Sequence, residues 1–336
     1  MVKCTEGTMC FWQATTMRGD PLCFIDRGTA TASAALLFPP QRFLSLHNAA
    51  GDVEYEEGRD FRLDAAAGLV IRTRDSRIPL TGLAELDPPG DDDLFYRRQV
   101  CAAYTHRPGL WPGPVPRFRG ADLPRTMSRL VAGKPLALAV TGDSISEGYN
   151  ASGFAGVPPY QPPYVDRIAA GLTGAYGSPI ALNNLASAGW TSDNGLADAE
   201  RVGATHPDLM IIAFGMNDAG YAEPADFAAN IAGIMDTVRR EAPDAEFVLV
   251  SPMLPNPDWR YPVMERFAAY RDALDNLCAT GVILGDVTTM WKALLHRKSV
   301  HDLTGNGINH PNDFGHQVYA QALLALLIDE IHTPPG

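Results

Sequence analysis

The sequence predicts an α/β domain built on a five-stranded parallel sheet, preceded by a small β-sandwich. Three observations carry that expectation. After Lys134, apolar runs of strand length alternate with helical segments; before about Arg107, short apolar runs are punctuated by turn residues; and a proline-rich stretch separates the two textures. A length of 336 residues suits about two domains. We place the boundary just beyond the prolines, which assigns 1–125 to a jelly-roll-like sandwich with its connector and 126–336 to the α/β domain.

In the first half the expected strands are 42–46, 61–63 and 69–72, set apart by Glu57-Gly58-Arg59-Asp60 and by Ala67-Gly68. Pro88-Pro89-Gly90-Asp91-Asp92-Asp93 reads as a polar turn, its aspartates forming a solvated loop rather than a metal site. Pro108, Pro112, Pro114, Pro116 and Pro124 cannot sustain a helix interior or a central strand, so they make a semi-rigid connector. In the second half strands are expected at 136–140, 180–185, 209–214, 247–250 and 282–284, with helices at 164–172, 225–241, 264–278 and 314–328. Parallel strands need crossovers, which helices supply on both faces of the sheet.

Composition narrows the function. With 27 basic against 39 acidic residues the net charge is −12, and no basic cluster is longer than Arg97-Arg98 or Arg239-Arg240, so nucleic acid and anionic membrane surfaces are not the expected partners. The longest apolar run, 322–328, is far short of the ~20 residues that cross a bilayer. Cys4, Cys10, Cys23, Cys101 and Cys278 are odd in number and lack C-x-x-C spacing, which points to reduced thiols. Lys3 and Glu6 lie in a polar stretch and no signal peptide is evident, so a cytoplasmic location is expected. Asn150-Ala151-Ser152 fits a glycosylation sequon, a pattern common by chance.

In open parallel sheets the ligand lies beyond the carboxyl ends of the strands. Those ends carry Gly142-Asp143-Ser144-Ile145-Ser146, then Ala186-Ser187-Ala188-Gly189-Trp190, then Phe214-Gly215-Met216-Asn217-Asp218. Leading into the last helix stands Gly307-Ile308-Asn309-His310-Pro311. A serine on a strand-end turn presents both its hydroxyl and its own N–H, a glycine lets a backbone N–H approach a ligand, a carboxamide adds a second donor, and a histidine supplies a base near neutral pH. Each block alone reads as a turn or a helix cap.

Together, the four blocks in the order Ser, Gly, Asn, His resemble the SGNH/GDSL hydrolase family. The resemblance covers about 136–328 and implies a flavodoxin-like α/β/α domain, with Ser144 as nucleophile, His310 as general base, and Ser144, Gly189 and Asn217 as the oxyanion hole. It implies no cofactor. The family usually places an aspartate three residues before the histidine; that position here is Gly307. Asn306, Asn309, a main-chain carbonyl or the more distant Asp302 remain as groups that could orient the ring. No G-x-S-x-G, H-E-x-x-H or P-loop pattern competes.

His296, His301, His310 and His316 with Asp302 match no metal-ligand spacing, and helical geometry after Pro311 points His316 away by about a turn. Trp190, Tyr149 and Tyr221 fall on or beside the same loops, and Trp259 follows Pro252, Pro255 and Pro257 as a rim residue suited to a sugar or an acyl group. The expected substrate is a small-molecule or oligosaccharide ester with a short acyl chain, most naturally an acetyl group on a carbohydrate, because the N-terminal β-domain resembles the sandwich that precedes the hydrolase domain in two-domain carbohydrate esterases of this family. Loops rich in Pro, Gly, Asn and Asp rather than lid-like make lipids the weaker choice. Alternatives are a non-catalytic carbohydrate-binding protein on an eroded hydrolase fold, a broader aryl or lipid esterase, and an acyltransferase. Nothing in the sequence fixes the oligomeric state.

Overall fold

The structure is a computed structural model that describes residues 10–28, 31–86 and 95–329. The polar turn 88–93, Cys4, Lys3 and Glu6 lie outside the described residues.

The described residues of the N-terminal part hold eight strands: β1 Thr16–Cys23, β2 Ile25–Asp26, β3 Ser33–Ala35, β4 Pro40–Asn48, β5 Phe61–Asp64, β6 Leu69–Arg72, β7 Thr81–Gly82 and β8 Gln99–His106. β1 and β8, the longest of those not expected from the sequence, lie side by side. β8 lies between β1 and β4 in an antiparallel sheet, while β3, β6 and β5 form a second and β2 pairs with β7. In β8 the buried positions Val100, Ala102, Tyr104 and His106 alternate with half-buried ones, but alanines, a threonine and a polar terminus flatten that alternation in the sequence. β1 is interrupted by Gly19 and Pro21, with an irregular register between Met17 and Asp20. Phe43 of β4 meets Phe61 of β5 at 5.4 Å between ring centroids, so the two antiparallel sheets touch through their side chains.

The remaining strands are β9 Leu136–Gly142, β10 Ile180–Asn184, β11 Leu209–Ala213, β12 Glu246–Val250 and β13 Val282–Gly285, all parallel in the order β10-β9-β11-β12-β13. β11 and β12 are buried throughout, as near-continuous apolar runs in a doubly covered sheet should be. Nine helices accompany the described chain: α1 Pro124–Val131, α2 Ser144–Glu147, α3 Tyr164–Tyr176, α4 Ser192–Gly203, α5 Pro224–Glu241, α6 Glu265–Asn276, α7 Val287–Leu295, α8 Val300–Leu303 and α9 Asp313–Leu327. α3 packs with α9 and α4 with α5, flanking the sheet in an α/β/α arrangement. The four expected helices are present. α4 went unread because Gly195 and four charged residues dilute its apolar stripe; Thr191 and Asn194 hold its first turn as a capping box. The proline stretch ends in a helix rather than before one, since Pro124 takes the first helical position, where its missing N–H costs nothing.

One apolar core runs through both parts, from Leu22, Leu46 and Tyr104 to Leu138, Ile211 and Trp291. A buried charged cluster bridges them. Lys298 lies 2.9 Å from Asp20 of β1 and 3.9 Å from Asp302 of α8, and donates to the Ala35 carbonyl at 2.7 Å. Asp20 also accepts from Leu37 N–H and the Tyr104 hydroxyl, and Asp302 from Cys23 N–H and Ser299 N–H. Gln99 of β8 reaches across in the same way, donating to the carbonyls of His301 and Thr304 at 2.7 Å each. No described helix is long and apolar enough to cross a membrane.

Candidate active site

The order β10-β9-β11 makes β9 the strand at which the sheet reverses direction of growth, and crevices form at such switch points. Register pairs Gly142 at the end of β9 with Ala213 at the end of β11, so the loops carrying Ser144 and Asn217 leave the sheet side by side. Asp143 caps α2, its carboxylate accepting from Ile145 N–H at 3.0 Å, and this sharp turn points Ser144 out of the strand end.

Ser144 and His310, remote in sequence, meet there: Oγ and Nε2 are 2.8 Å apart, with both residues nearly buried. His310 sits in a closed turn. Thr304 bridges Pro311, and Gly305 N–H donates to the His310 carbonyl at 2.9 Å. Asn306 Oδ1 accepts three backbone N–H groups, from Ile308 and Asn309 at 3.0 Å and His310 at 3.1 Å. Gly307 holds a φ of +76°, a left-handed conformation that favours glycine.

The groups expected to orient His310 are arranged differently from the expectation. Asn306 turns its amine, not its carbonyl, toward the ring, with Nδ2 3.1 Å from Nδ1, because its oxygen is committed to the backbone. Asn309 Oδ1 accepts from that same amine at 3.0 Å. Asp302 belongs to the Lys298 cluster. The residue that sequence reasoning missed is Asn150, whose Oδ1 lies 3.0 Å from His310 Nδ1. Asn150 is half-buried, with its amide oxygen turned to the ring. No sequence signal joins it to a histidine 160 positions away.

Gly189 lies in the turn after β10. Its neighbours are committed: Ala186 N–H donates to Asn184 Oδ1, Ser187 N–H to Gly142 O, Ala188 N–H to Glu147 and Trp190 N–H to Ser187 O. Among the described residues, the N–H groups of Gly189 and Ser144 have no protein acceptor. Asn217 donates one amide hydrogen to the Trp190 carbonyl at 2.8 Å, which ties its loop to the Gly189 turn and leaves its second hydrogen. The loop is held from beneath by Asp218, which accepts from Ser192 N–H at 2.9 Å and Gly215 N–H at 3.1 Å.

Burial dominates the electrostatics behind Ser144. Asp143 is pushed up to about 7 by desolvation, with the Asp218 carboxylate nearby adding to the rise, and burial raises Asp218 as well. His316, expected to point away, is fully buried and fixed: Nε2–H donates to the Tyr149 carbonyl at 3.0 Å, Nδ1 accepts from Tyr164 N–H, and desolvation lowers it to about 3. His296 caps α7 and His301 lies against Phe95. Among the described residues no group of three His, Cys, Asp or Glu is placed to hold a metal. Cys10, Cys23, Cys101 and Cys278 are free, and burial raises each thiol.

Trp259 stacks on Tyr261 at 5.2 Å, and the Tyr261 hydroxyl donates to the Asn217 carbonyl at 3.0 Å. The same loop is fastened to the histidine turn, since Asn256 N–H donates to Ile308 O at 2.7 Å and Asn256 Nδ2 to Gly307 O at 3.0 Å. Tyr221 is half exposed with its hydroxyl on Asp193, Trp190 is packed against the core, and the Tyr149 ring lies 5.3 Å from that of His310. A cavity of about 1430 Å³ between the β1-β8-β4 sheet and the loop 150–162 reaches this centre through Asn150, not through Ser144, Gly189 or Asn217.

Residues 140–318 match the model of the GDSL-like Lipase/Acylhydrolase family. No curated protein matches the chain. Among solved structures, a two-domain esterase (CEX) active on acetylated mannans superposes with a TM-score of 0.51 at 20% identity, over 67% of this chain and 56% of that one. The same esterase co-crystallised with mannopentaose gives 0.49 at 21%, over 62% and 54%. The acetylxylan esterase Axe2 from Geobacillus stearothermophilus gives 0.45 at 19%, over 60% of this chain and 95% of that one. The chain thus spans little more than half the length of the two-domain esterase, and at these identities the likeness is one of fold.

Proposed function

The chain belongs to the GDSL-like lipase/acylhydrolase family of carboxylic-ester hydrolases, and from that premise we propose that it removes short acyl groups, chiefly acetyl, from carbohydrate. Ser144 is the nucleophile. As its Oγ attacks the ester carbonyl, His310 Nε2 takes the hydroxyl proton and then gives it to the leaving alcohol; water repeats the cycle on the acyl-enzyme. The oxyanion forms against the N–H groups of Ser144 and Gly189 and the second amide hydrogen of Asn217.

The observation that carries this reading is the 2.8 Å contact between Ser144 Oγ and His310 Nε2. Two backbone donors without protein acceptors flank the same crevice, which is what a developing negative charge requires. Support for a sugar comes from the stacked Trp259–Tyr261 pair, an aromatic platform of the kind that sugars pack against, tied to both the Asn217 loop and the histidine turn. The fold it shares with an esterase active on acetylated mannans agrees with this choice.

The test has two parts. A serine-directed phosphonate should label Ser144 and abolish activity, and Ser144→Ala should lower kcat by about 10⁶-fold while the protein stays folded. Hydrolysis of acetyl, butyryl and octanoyl aryl esters, run beside acetylated oligosaccharides, should favour acetyl. A preference for octanoyl would overturn the substrate assignment.

A further inference from the structure

We propose that Asn150 is the positioning residue that sets the tautomer of His310, in place of the aspartate that Gly307 replaces. The inference rests on the reading of Ser144 and His310 given above. To accept the Ser144 proton, Nε2 must be unprotonated, so Nδ1 must carry the hydrogen and needs an acceptor facing it.

Two amides stand against Nδ1, Asn150 at 3.0 Å and Asn306 at 3.1 Å, and they make opposite demands. Asn306 offers an N–H donor, which favours a bare Nδ1 and hence a proton on Nε2, the form that cannot act as base. Its orientation is not open to choice, because turning it would strip three backbone N–H groups of their acceptor. Its amine also has a second outlet in Asn309 Oδ1 at 3.0 Å. Asn150 offers Oδ1, which favours Nδ1–H and a free lone pair on Nε2. A single ring nitrogen cannot be donor to one and acceptor to the other, so the active form needs Asn150 to prevail.

Asn150 is built for this placement. It has a φ of +62°, a left-handed position that asparagine tolerates better than most residues. Its turn is pinned on both sides by α9: His316 holds the Tyr149 carbonyl and Asp313 accepts from Ser152 N–H at 2.8 Å. Gly305 permits the approach, for a Cβ there would lie 2.6 Å from the Asn150 Cβ. When Ser144 gives up its proton, Nδ1–H stays on the imidazolium and its bond to the Asn150 carbonyl shortens; no proton passes to the amide.

The experiment compares kcat, KM and pH profiles on an aryl acetate for four proteins: wild type, Asn150→Gly, Asn150→Asp, and the double variant Asn150→Gly with Asn306→Asp. Glycine keeps the left-handed backbone and removes only the amide. It should lower kcat by about 10²-fold or more with KM and melting temperature little changed. Asn150→Asp should recover most of that loss and move the acid limb of the profile to higher pH by about one unit, because a carboxylate now favours imidazolium. In the double variant the Asn306 donor gives way to an oxygen, and the rate should rise above that of Asn150→Gly. The proposal is overturned if Asn150→Gly keeps kcat within about threefold of wild type, or if a folded Asn150→Asp is as slow as the glycine variant at every pH. Should Asn150→Gly not fold, an unshifted acid limb in Asn150→Asp overturns it alone. Phosphonate labelling separates the two levels: labelling away from Ser144 removes the underlying reading, whereas labelling of Ser144 with a fully active glycine variant removes only this one.

Discussion

Two buried polar centres lie a few residues apart along the chain and are built on opposite principles. Around Lys298, a cation faces Asp20 and Asp302; Asp20 is further satisfied by N–H and O–H donors of the N-terminal part and Asp302 by N–H donors of both parts. Around His310 stand the Ser144 hydroxyl, the Asn150 and Asn306 amides and the Tyr149 ring. The carboxylate of Asp302, eight residues before His310, serves the first centre. Fixed charges locked by complementary partners give rigidity, while a ring poised between two amides keeps the freedom to gain and lose a proton. Structure and chemistry have been allotted to separate clusters, and they should separate under mutation.

The sharpest break is expected at Lys298. Replacing it by Met leaves Asp20 and Asp302 buried without their cation, which should cost about 3–5 kcal/mol, read as a fall in the urea midpoint. The turnover of the fraction that remains folded should be unchanged. Asn217→Ala tests the other side: it removes the proposed oxyanion donor and the bond to the Trp190 carbonyl, so kcat should drop about 10²–10³-fold while the urea midpoint moves little. If Lys298→Met instead inactivates without destabilising, or Asn217→Ala unfolds the protein, the division fails.

A smaller effect refines it. Asp143, which caps the turn under Ser144, has a folded pKa raised to about 7, above its unfolded value. The folded state therefore binds the proton more tightly. Its stabilising contribution is complete below the unfolded pKa and is lost as pH rises through about 7. Wild type should lose melting temperature between mildly acid and mildly alkaline pH, and Asp143→Asn, which keeps a capping oxygen, should flatten that slope. An unchanged slope would mean that this carboxyl does not titrate there.

The parallel sheet was legible because its strands are continuous apolar runs that need no partner to be recognised, as with 209–214 and 247–250. The candidate site was legible for the same reason: Ser144, Gly189 and Asn217 sit where such strands stop. The antiparallel part was read less well. β8 owes its place to pairing with β1 and β4, and small residues such as Ala102 and Ala103 show little alternation until the neighbours are known. Asn150 was illegible because its role depends on which atom of a half-buried amide faces a ring from another segment, and on the lock that three N–H groups place on Asn306. Position along a chain carries no such information. Asp302, the more distant of the groups left open to orient the ring, faces a lysine instead.

The burial of His316 bears on how this enzyme will respond to acid. Its imidazole, hydrogen-bonded to the Tyr149 carbonyl and lowered to about 3, stays uncharged throughout the range in which the protein would be assayed. Although two histidines lie close together on the same descending segment, only one of them is available to switch. His316 should accordingly add no proton of its own to the acidic side of the activity curve, and His316→Asn should leave the position of that limb unchanged.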